Sequence, residues 1–302
     1  MPPLAGAVGL SEAPSWFTSA LAMPFDRHVL DVDGCPVHFR TWGDSTLPPV
    51  VLIHGAGAHT GWWDHIAPLL SCTHHVIALD LSGHGDSGRR TDYSLRTWAR
   101  EVQTVTAACN PKDKPVLIGH SMGGWVATTV AVWHGAEIGA AIAIDSIPQL
   151  HKSSRTYGRT HSRRPQPHPT RAAIAARFKV TPDQQSKLPF VFEHIVANSI
   201  RQDSDGWRWK FDPLVYNISD NEFDLIEAGT LQQVLGKIAC RIGYVRCERG
   251  TVATDTAHRI RSALQHKGFY VELAEAGHHP MLDQPLPLVA TLRTLLSMWR
   301  DS

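Results

Sequence analysis

Nowhere in the 302-residue chain do about 18 consecutive apolar residues occur, so no membrane span is expected. Nor is there an excess of charge of one sign. Lys and Arg number 29 against 28 Asp and Glu, a net +1 that provides no global field to draw in nucleic acid or an anionic membrane. Cysteine is sparse. Cys35, Cys72, Cys109, Cys240 and Cys247 are odd in number, contain no C-x-x-C and sit mostly in apolar stretches. That excludes a disulfide framework, and the expectation is of reduced thiols in a cytoplasmic setting. Basic residues are missing ahead of Arg27, so the charged start of a secretory leader is absent and none is expected. Histidine, by contrast, is plentiful at 18, yet His74-His75 and His278-His279 are adjacent pairs and no H-x-x-x-H occurs. No metal site is expected. With 43% hydrophobic and 19% charged residues, the chain can bury roughly three quarters of its unfolded surface. One large core with an accessory layer is therefore within reach.

Short runs rich in Val and Ile alternate with helical stretches: Val50 to Ile53, Val76 to Asp80, Val116 to Gly119, Ala140 to Asp145, Ile242 to Cys247 and Tyr270 to Ala274. This is the rhythm of crossover units and a mostly parallel sheet. Two earlier strands, Arg27 to Val32 and Pro36 to Trp42, are joined by Asp33-Gly34, a tight-hairpin signal, so the sheet is expected to open antiparallel. The rhythm breaks once, over 147–231. That stretch begins with a basic, Pro-spaced segment from His151 to Arg171 and continues with Phe178, Phe190, Phe192, Trp207, Trp209, Phe211, Tyr216 and Phe223. An insertion of this kind suggests a lid over a site, with 1–146 and 232–302 forming the core around it.

Val116-Leu117-Ile118 runs into Gly119-His120-Ser121-Met122-Gly123-Gly124 and then into a helical pattern from Trp125 to Trp133. In this strand, G-x-S-x-G, helix setting the central Ser is forced onto a strained turn, and the residues two before and two after it must be small. Ser121 is thereby exposed to a base on one side, with the helix amides at its back. A rival pattern, Gly55-x-Gly57-x-x-x-Gly61 with Asp80 after the next strand, mimics a dinucleotide fingerprint. Its spacing carries one residue too many, its strand is the third, and Trp62-Trp63 crowds the helix start, so no nucleotide cofactor is expected.

Taken in order, His54-Gly55-Ala56-Gly57, Asp80-Leu81-Ser82-Gly83-His84-Gly85-Asp86-Ser87, Gly119 to Gly124 and Ala276-Gly277-His278-His279 resemble the α/β-hydrolase superfamily over about Phe25 to Arg300. The resemblance implies an α/β-hydrolase fold: an eight-stranded, mostly parallel sheet with helices on both faces and an inserted helical lid. It implies an oxyanion hole from the backbone amides of Ala56 and Met122, with His54 and His84 holding their loops and His120 only filling the variable elbow position. It makes His278, directly after Gly277, the general base that Ser121 needs. The acid is where the chain departs from the common pattern. Most of the family carries it after the seventh strand, but here that turn reads Cys247-Glu248-Arg249-Gly250-Thr251, with Gly250 at the acid position. A minority, some haloalkane dehalogenases among them, carry it after the sixth strand instead. Asp145 stands there, with Glu248 and Asp255 as alternatives and a turn cap as the other role for Asp145.

Because the elbow residue is Ser rather than Asp, an acyl-enzyme route fits and an alkyl-enzyme one does not. The expectation is a serine hydrolase acting on a carboxylic ester or related acyl substrate, with no cofactor. The same machinery would give an acyltransferase or perhydrolase with an alcohol or peroxide as acceptor, and the chain is also similar to the cofactor-free haloperoxidases. A non-catalytic binding or signalling protein is the alternative of another class. The partner expected is an apolar acyl or aromatic small molecule, with Trp62, Trp63 and Trp125 lining its pocket or else serving as core packing.

Overall fold

Continuous Val, Ile and Ala runs bounded by turn residues become a twisted sheet in the computed structural model, which describes residues 13–146, 166–218, 231–264 and 267–300. Eight strands build it: β1 (Asp26–Val32), β2 (Cys35–Trp42), β3 (Pro49–Ile53), β4 (His75–Leu79), β5 (Val116–His120), β6 (Ala140–Ile144), and, after a separate hairpin of β7 (Ile200–Asp203) and β8 (Gly206–Trp209), β9 (Arg241–Arg249) and β10 (Gly268–Gly277). Their spatial order is β1-β2-β4-β3-β5-β6-β9-β10. β1–β2 and β2–β4 pair antiparallel and the rest parallel. The sheet thus opens antiparallel, as Asp33-Gly34 led one to expect.

The central strands are buried on both faces, which is why they read as unbroken apolar runs. Side chains still alternate. Val51, Ile53, Leu117, Ala141 and Ala143 enter one apolar cluster, packed under helices Leu95–Ala108, Met122–His134 and Thr254–Leu264. Val50, Leu52, Ile118, Ile142 and Ile144 enter the other, under helices Ala67–Leu70 and Pro285–Arg300. An N-terminal helix, Ser15–Ala22, joins this second face through Phe17, fully buried with its ring 4.9 Å from Phe190. Among the described residues no helix is long and apolar enough to cross a membrane.

Between β6 and helix Leu231–Lys237 the chain leaves the sheet. The described part of the insertion is helical, as expected, but not only helical. Besides helices Arg171–Ala175 and Pro189–Asn198 it carries an antiparallel hairpin, β7 (Ile200–Asp203) with β8 (Gly206–Trp209). Its four-residue strands are half-buried and mix charge with aromatics, so neither alternation nor an apolar run marks them. Phe178 packs edge-on against Phe192 and Trp209, at 5.5 and 5.7 Å between ring centres. Most of the basic segment from His151 to Arg171, and Phe223, lie outside the described residues. The insertion is tied to the core by polar contacts, since buried Asp64 accepts from Arg40 at 2.5 Å and from His194 of helix Pro189–Asn198 at 3.0 Å.

Histidine abundance has a structural use and a measurable consequence. His54 accepts the Leu81 N–H and donates to the Gly55 carbonyl, His59 accepts the Gly61 N–H and donates to Ser199, and His65 donates to the Met281 carbonyl. Burial holds all of them neutral, pushing His59 and His65 down to about 4 and His120 to about 3. The unfolded chain therefore binds more protons than the folded one once the pH falls below the free-histidine value of about 6.5. Stability should be at its full value above that pH and fall by several kcal/mol, to order of magnitude, between about pH 6.5 and 4. Urea midpoints across that range test this, a flat profile being the contrary result.

Candidate active site

Three chain segments distant in sequence converge at the C-terminal edge of the sheet. Ser121 closes β5 with φ 52° and ψ −118°, a conformation costly for a residue with a Cβ, and begins helix Met122–His134. Neighbouring backbone explains the glycines beside it: a Cβ on Gly119 would overlap the Gly123 carbonyl, and one on Gly123 the Ile53 and His54 carbonyls. The turn is pinned by the Ser121 N–H on the Ile144 carbonyl and the Gly124 N–H on the Ser121 carbonyl, both 2.9 Å.

From the loop after β10, His278 places Nε2 3.0 Å from Ser121 Oγ and Nδ1 2.6 Å from Asp145 Oδ2. With Nδ1 protonated, the ring donates to the carboxylate and accepts from the hydroxyl. Asp145 directly follows β6, also at positive φ (40°), and is itself held by the Thr251 N–H at 2.8 Å, the Thr251 hydroxyl at 3.1 Å and the Cys247 N–H at 3.2 Å. Burial alone would raise its carboxyl. The hydrogen bond and charge of His278, with the Thr251 and Cys247 amides, outweigh burial and hold it below the usual carboxylate range. A chain of donors so arranged can take a proton from Ser121 and keep the resulting imidazolium beside a fixed anion.

Neither alternative acid is among the hydrogen-bond partners of the His278 ring. Glu248 is exposed and accepts the Glu275 N–H, and Asp255 is exposed in the first turn of helix Thr254–Leu264. Gly250, where the common acid would stand, explains its own identity, because a Cβ there would overlap the Asp145 carboxylate. Met122 opens the helix and Ala56 is exposed on the loop whose Gly55 approaches Ser121, with an added Cβ 3.3 Å from that of Ser121. Asp80 accepts the Thr60 and Asp86 amides and so braces this loop and the one after β4. His54 ties the same two loops, whereas His84 bonds locally, to the Ser82 carbonyl.

The three tryptophans need a correction, because they do not share one pocket. Trp62 and Trp63 are buried in the cluster on one face of the sheet, and Trp125 packs, half-buried, against the cluster on the other. Size and apolarity drew Trp63 fully into the core. Trp62 stands 5.2 Å from the His279 ring and backs the His loop. The aromatic groups near the site come from the insertion instead: the Tyr216 hydroxyl lies against Gly57, with the Phe211 ring beside it.

Among the described residues, one group has the spacing to hold a metal: His120, His278 and His279, with ligand atoms within 4.8 Å of one another. Both ring nitrogens of His278 are already engaged with Ser121 and Asp145, and His120 Nε2 donates to the His278 carbonyl at 2.7 Å. His120 therefore does more than fill a variable position, since it fixes the backbone of the His loop.

A family model described as "Alpha/beta hydrolase family" matches residues 50–292, most of the chain. The chain belongs to the alpha/beta hydrolase family. Esterase Rv0045c of Mycobacterium tuberculosis is 25% identical over 268 residues, 84% of each chain. A pimeloyl-[acyl-carrier protein] methyl ester esterase of Edwardsiella ictaluri is 36% identical over 99 residues, 33% of this chain and 36% of that one. Among solved structures, a thioesterase domain from the curacin biosynthetic pathway superposes with TM-score 0.74 at 20% identity, covering 89% of this chain and 99% of that one. At that identity the likeness speaks to the fold alone. Within this α/β-hydrolase frame, sequence reasoning gave no role to Thr251 or Gln184 and named Tyr216 only among the aromatics of the insertion. Contacts made across long chain separations leave no spacing to read, although the Gly250-Thr251 pair beside an absent acid was a usable clue.

Proposed function

We propose that the protein is a serine carboxylic-ester hydrolase working through an acyl-enzyme, its core formed by 1–146 and 232–302 and its site covered by the insertion 147–231. The observation that carries this reading is the unbroken hydrogen-bonded chain from Ser121 Oγ through His278 to Asp145. The esterase names of the two relatives, one matched over 84% of this chain and the other over 33%, support it.

In this reading Ser121 Oγ attacks the ester carbonyl as His278 Nε2 takes its proton. The carbonyl oxygen becomes an anion that the Ala56 and Met122 amides receive, at the positive end of a helix dipole. Collapse breaks the bond to the alkoxy oxygen, which leaves as an alcohol carrying the proton from His278. Water then repeats the sequence on the acyl-enzyme and releases the acid. No external cofactor enters either half. The substrate is a small ester whose apolar or aromatic part meets Phe211 and Tyr216.

A p-nitrophenyl ester series from acetyl to decanoyl, run with a fluorophosphonate probe, tests the proposal. Stoichiometric labelling and turnover that declines as the probe reacts are expected. A folded protein that neither labels nor hydrolyses any ester would instead support the binding-protein alternative. Adding methanol or hydrogen peroxide to the same assay shows whether another acceptor outcompetes water.

A further inference from the structure

Among the insertion's described side chains, Gln184 makes the most direct contact with the backbone around His278. It is buried, 6% exposed, in the segment ahead of helix Pro189–Asn198. Its Oε1 accepts the His279 N–H at 2.8 Å, while its Nε2 donates to the Ser186 carbonyl at 3.0 Å and to the His279 carbonyl at 3.3 Å. The same amide group lies against Gly277, where a Cβ would overlap it. Gln184 therefore brackets His278, touching the residue on either side.

The core restrains this loop by other means. Asp283 accepts the Gly277 N–H at 2.8 Å, His120 donates to the His278 carbonyl, and His65 donates to the Met281 carbonyl. From the insertion come Gln184 and the Leu188 N–H on the Leu282 carbonyl at 2.7 Å. A buried amide that accepts one residue's N–H and donates to the same residue's carbonyl ties the two peptide groups flanking that residue, and so resists sliding and rotation of both. Rotation there swings the imidazole, which must keep Nε2 on Ser121 and Nδ1 on Asp145 at once.

We propose that Gln184 is a positioning residue for the general base, through which the insertion takes part in proton transfer as well as covering the site. This rests on the reading of His278 as that base. The chemistry is unchanged: Gln184 gains and loses no proton and sets only where the imidazole stands. Misplacing a reacting group by about 1 Å costs on the order of 100-fold in rate, so a partly loosened loop should cost about 10- to 100-fold.

The test compares Gln184→Met, which keeps length and volume but not the hydrogen bonds, with Gln184→Glu, whose protonated form keeps a donor and an acceptor. Expected for Gln184→Met are a 10- to 100-fold fall in kcat and in fluorophosphonate labelling rate, KM within about threefold, faster amide exchange over 277–282, and a melting temperature within a few degrees. Gln184→Glu should recover most of kcat and labelling. Wild-type kcat in Gln184→Met overturns the proposal. So does a loss of kcat that follows a matching loss of melting temperature and is not recovered by Gln184→Glu. His278→Ala, assayed beside them, separates the two layers: if it keeps full turnover, the general-base reading itself fails, and if it is inactive while Gln184→Met is normal, only the role of Gln184 fails.

Discussion

Ser121→Ala should lower ester turnover by about 10^4- to 10^6-fold and abolish fluorophosphonate labelling, with the fold intact. The size follows from the proposed mechanism: in it, without Oγ no acyl-enzyme forms, and what remains is the oxyanion donors acting on direct attack by water. Stability gives an independent check. At φ 52° and ψ −118° the serine backbone is strained, and alanine keeps the Cβ that causes the strain. Its melting temperature should match wild type. Ser121→Gly, equally inactive, removes the Cβ and should be more stable by about 1 kcal/mol, part of it offset by the freer unfolded chain. Calorimetry on the two inactive variants reads this difference without any substrate. Residual turnover above about one part in a thousand in both would move the nucleophile elsewhere.

That Ser121 stands out in the sequence as the candidate nucleophile reflects how strongly backbone crowding constrains composition. At the elbow, Gly119 and Gly123 are demanded by carbonyl oxygens 2.0 to 2.6 Å from where a Cβ would stand, so the pattern survives as text. The sheet was legible for a related reason: strands covered on both faces, such as Val50 to Ile53, must be apolar throughout and short, and turn residues bound them. The helix Ser15–Ala22 was not assigned, because eight residues with neither a capping side chain nor an acid in the first turn carry little helical signal, and its stability comes from Phe17 inserted among Phe190, His65 and His194. Tertiary contact decides such elements. The hairpin β7–β8 belongs with it: its second bridge is to His168, some forty residues upstream of Trp207 at most, and no local periodicity encodes that partner. Trp62 and Trp63 illustrate the opposite error, in which position beside an active-site loop suggested a pocket while side-chain volume took them into the core.

Asp145→Asn should reduce kcat by about 10^4-fold, because an amide can present its N–H to His278 Nδ1 and favour the wrong tautomer, and cannot balance an imidazolium. The loss should be kinetic more than structural, since asparagine tolerates φ 40° and, with its oxygen at the Oδ1 place, still accepts the Cys247 N–H, while the Thr251 N–H on Oδ2 loses its acceptor. A stronger test exchanges the acid between two strands. Gly250 is excluded from carrying a side chain by the Asp145 carboxylate, so the two positions compete for one space beside His278 Nδ1. Asp145→Gly empties that space and suits the positive φ; on its own it should be as slow as Asp145→Asn, with the Thr251 and Cys247 amides left without their acceptor. Adding Gly250→Asp to it should return at least one order of magnitude of the lost kcat, whereas Gly250→Asp in the native background should lose activity by crowding the existing carboxylate. If the double variant folds, by calorimetry, and gains nothing over Asp145→Gly, then the two positions are not interchangeable mounts for one carboxylate. A gain would mean that β6 and β9 offer the imidazole the same site from either side, and that glycine at 250 records which of them this chain uses.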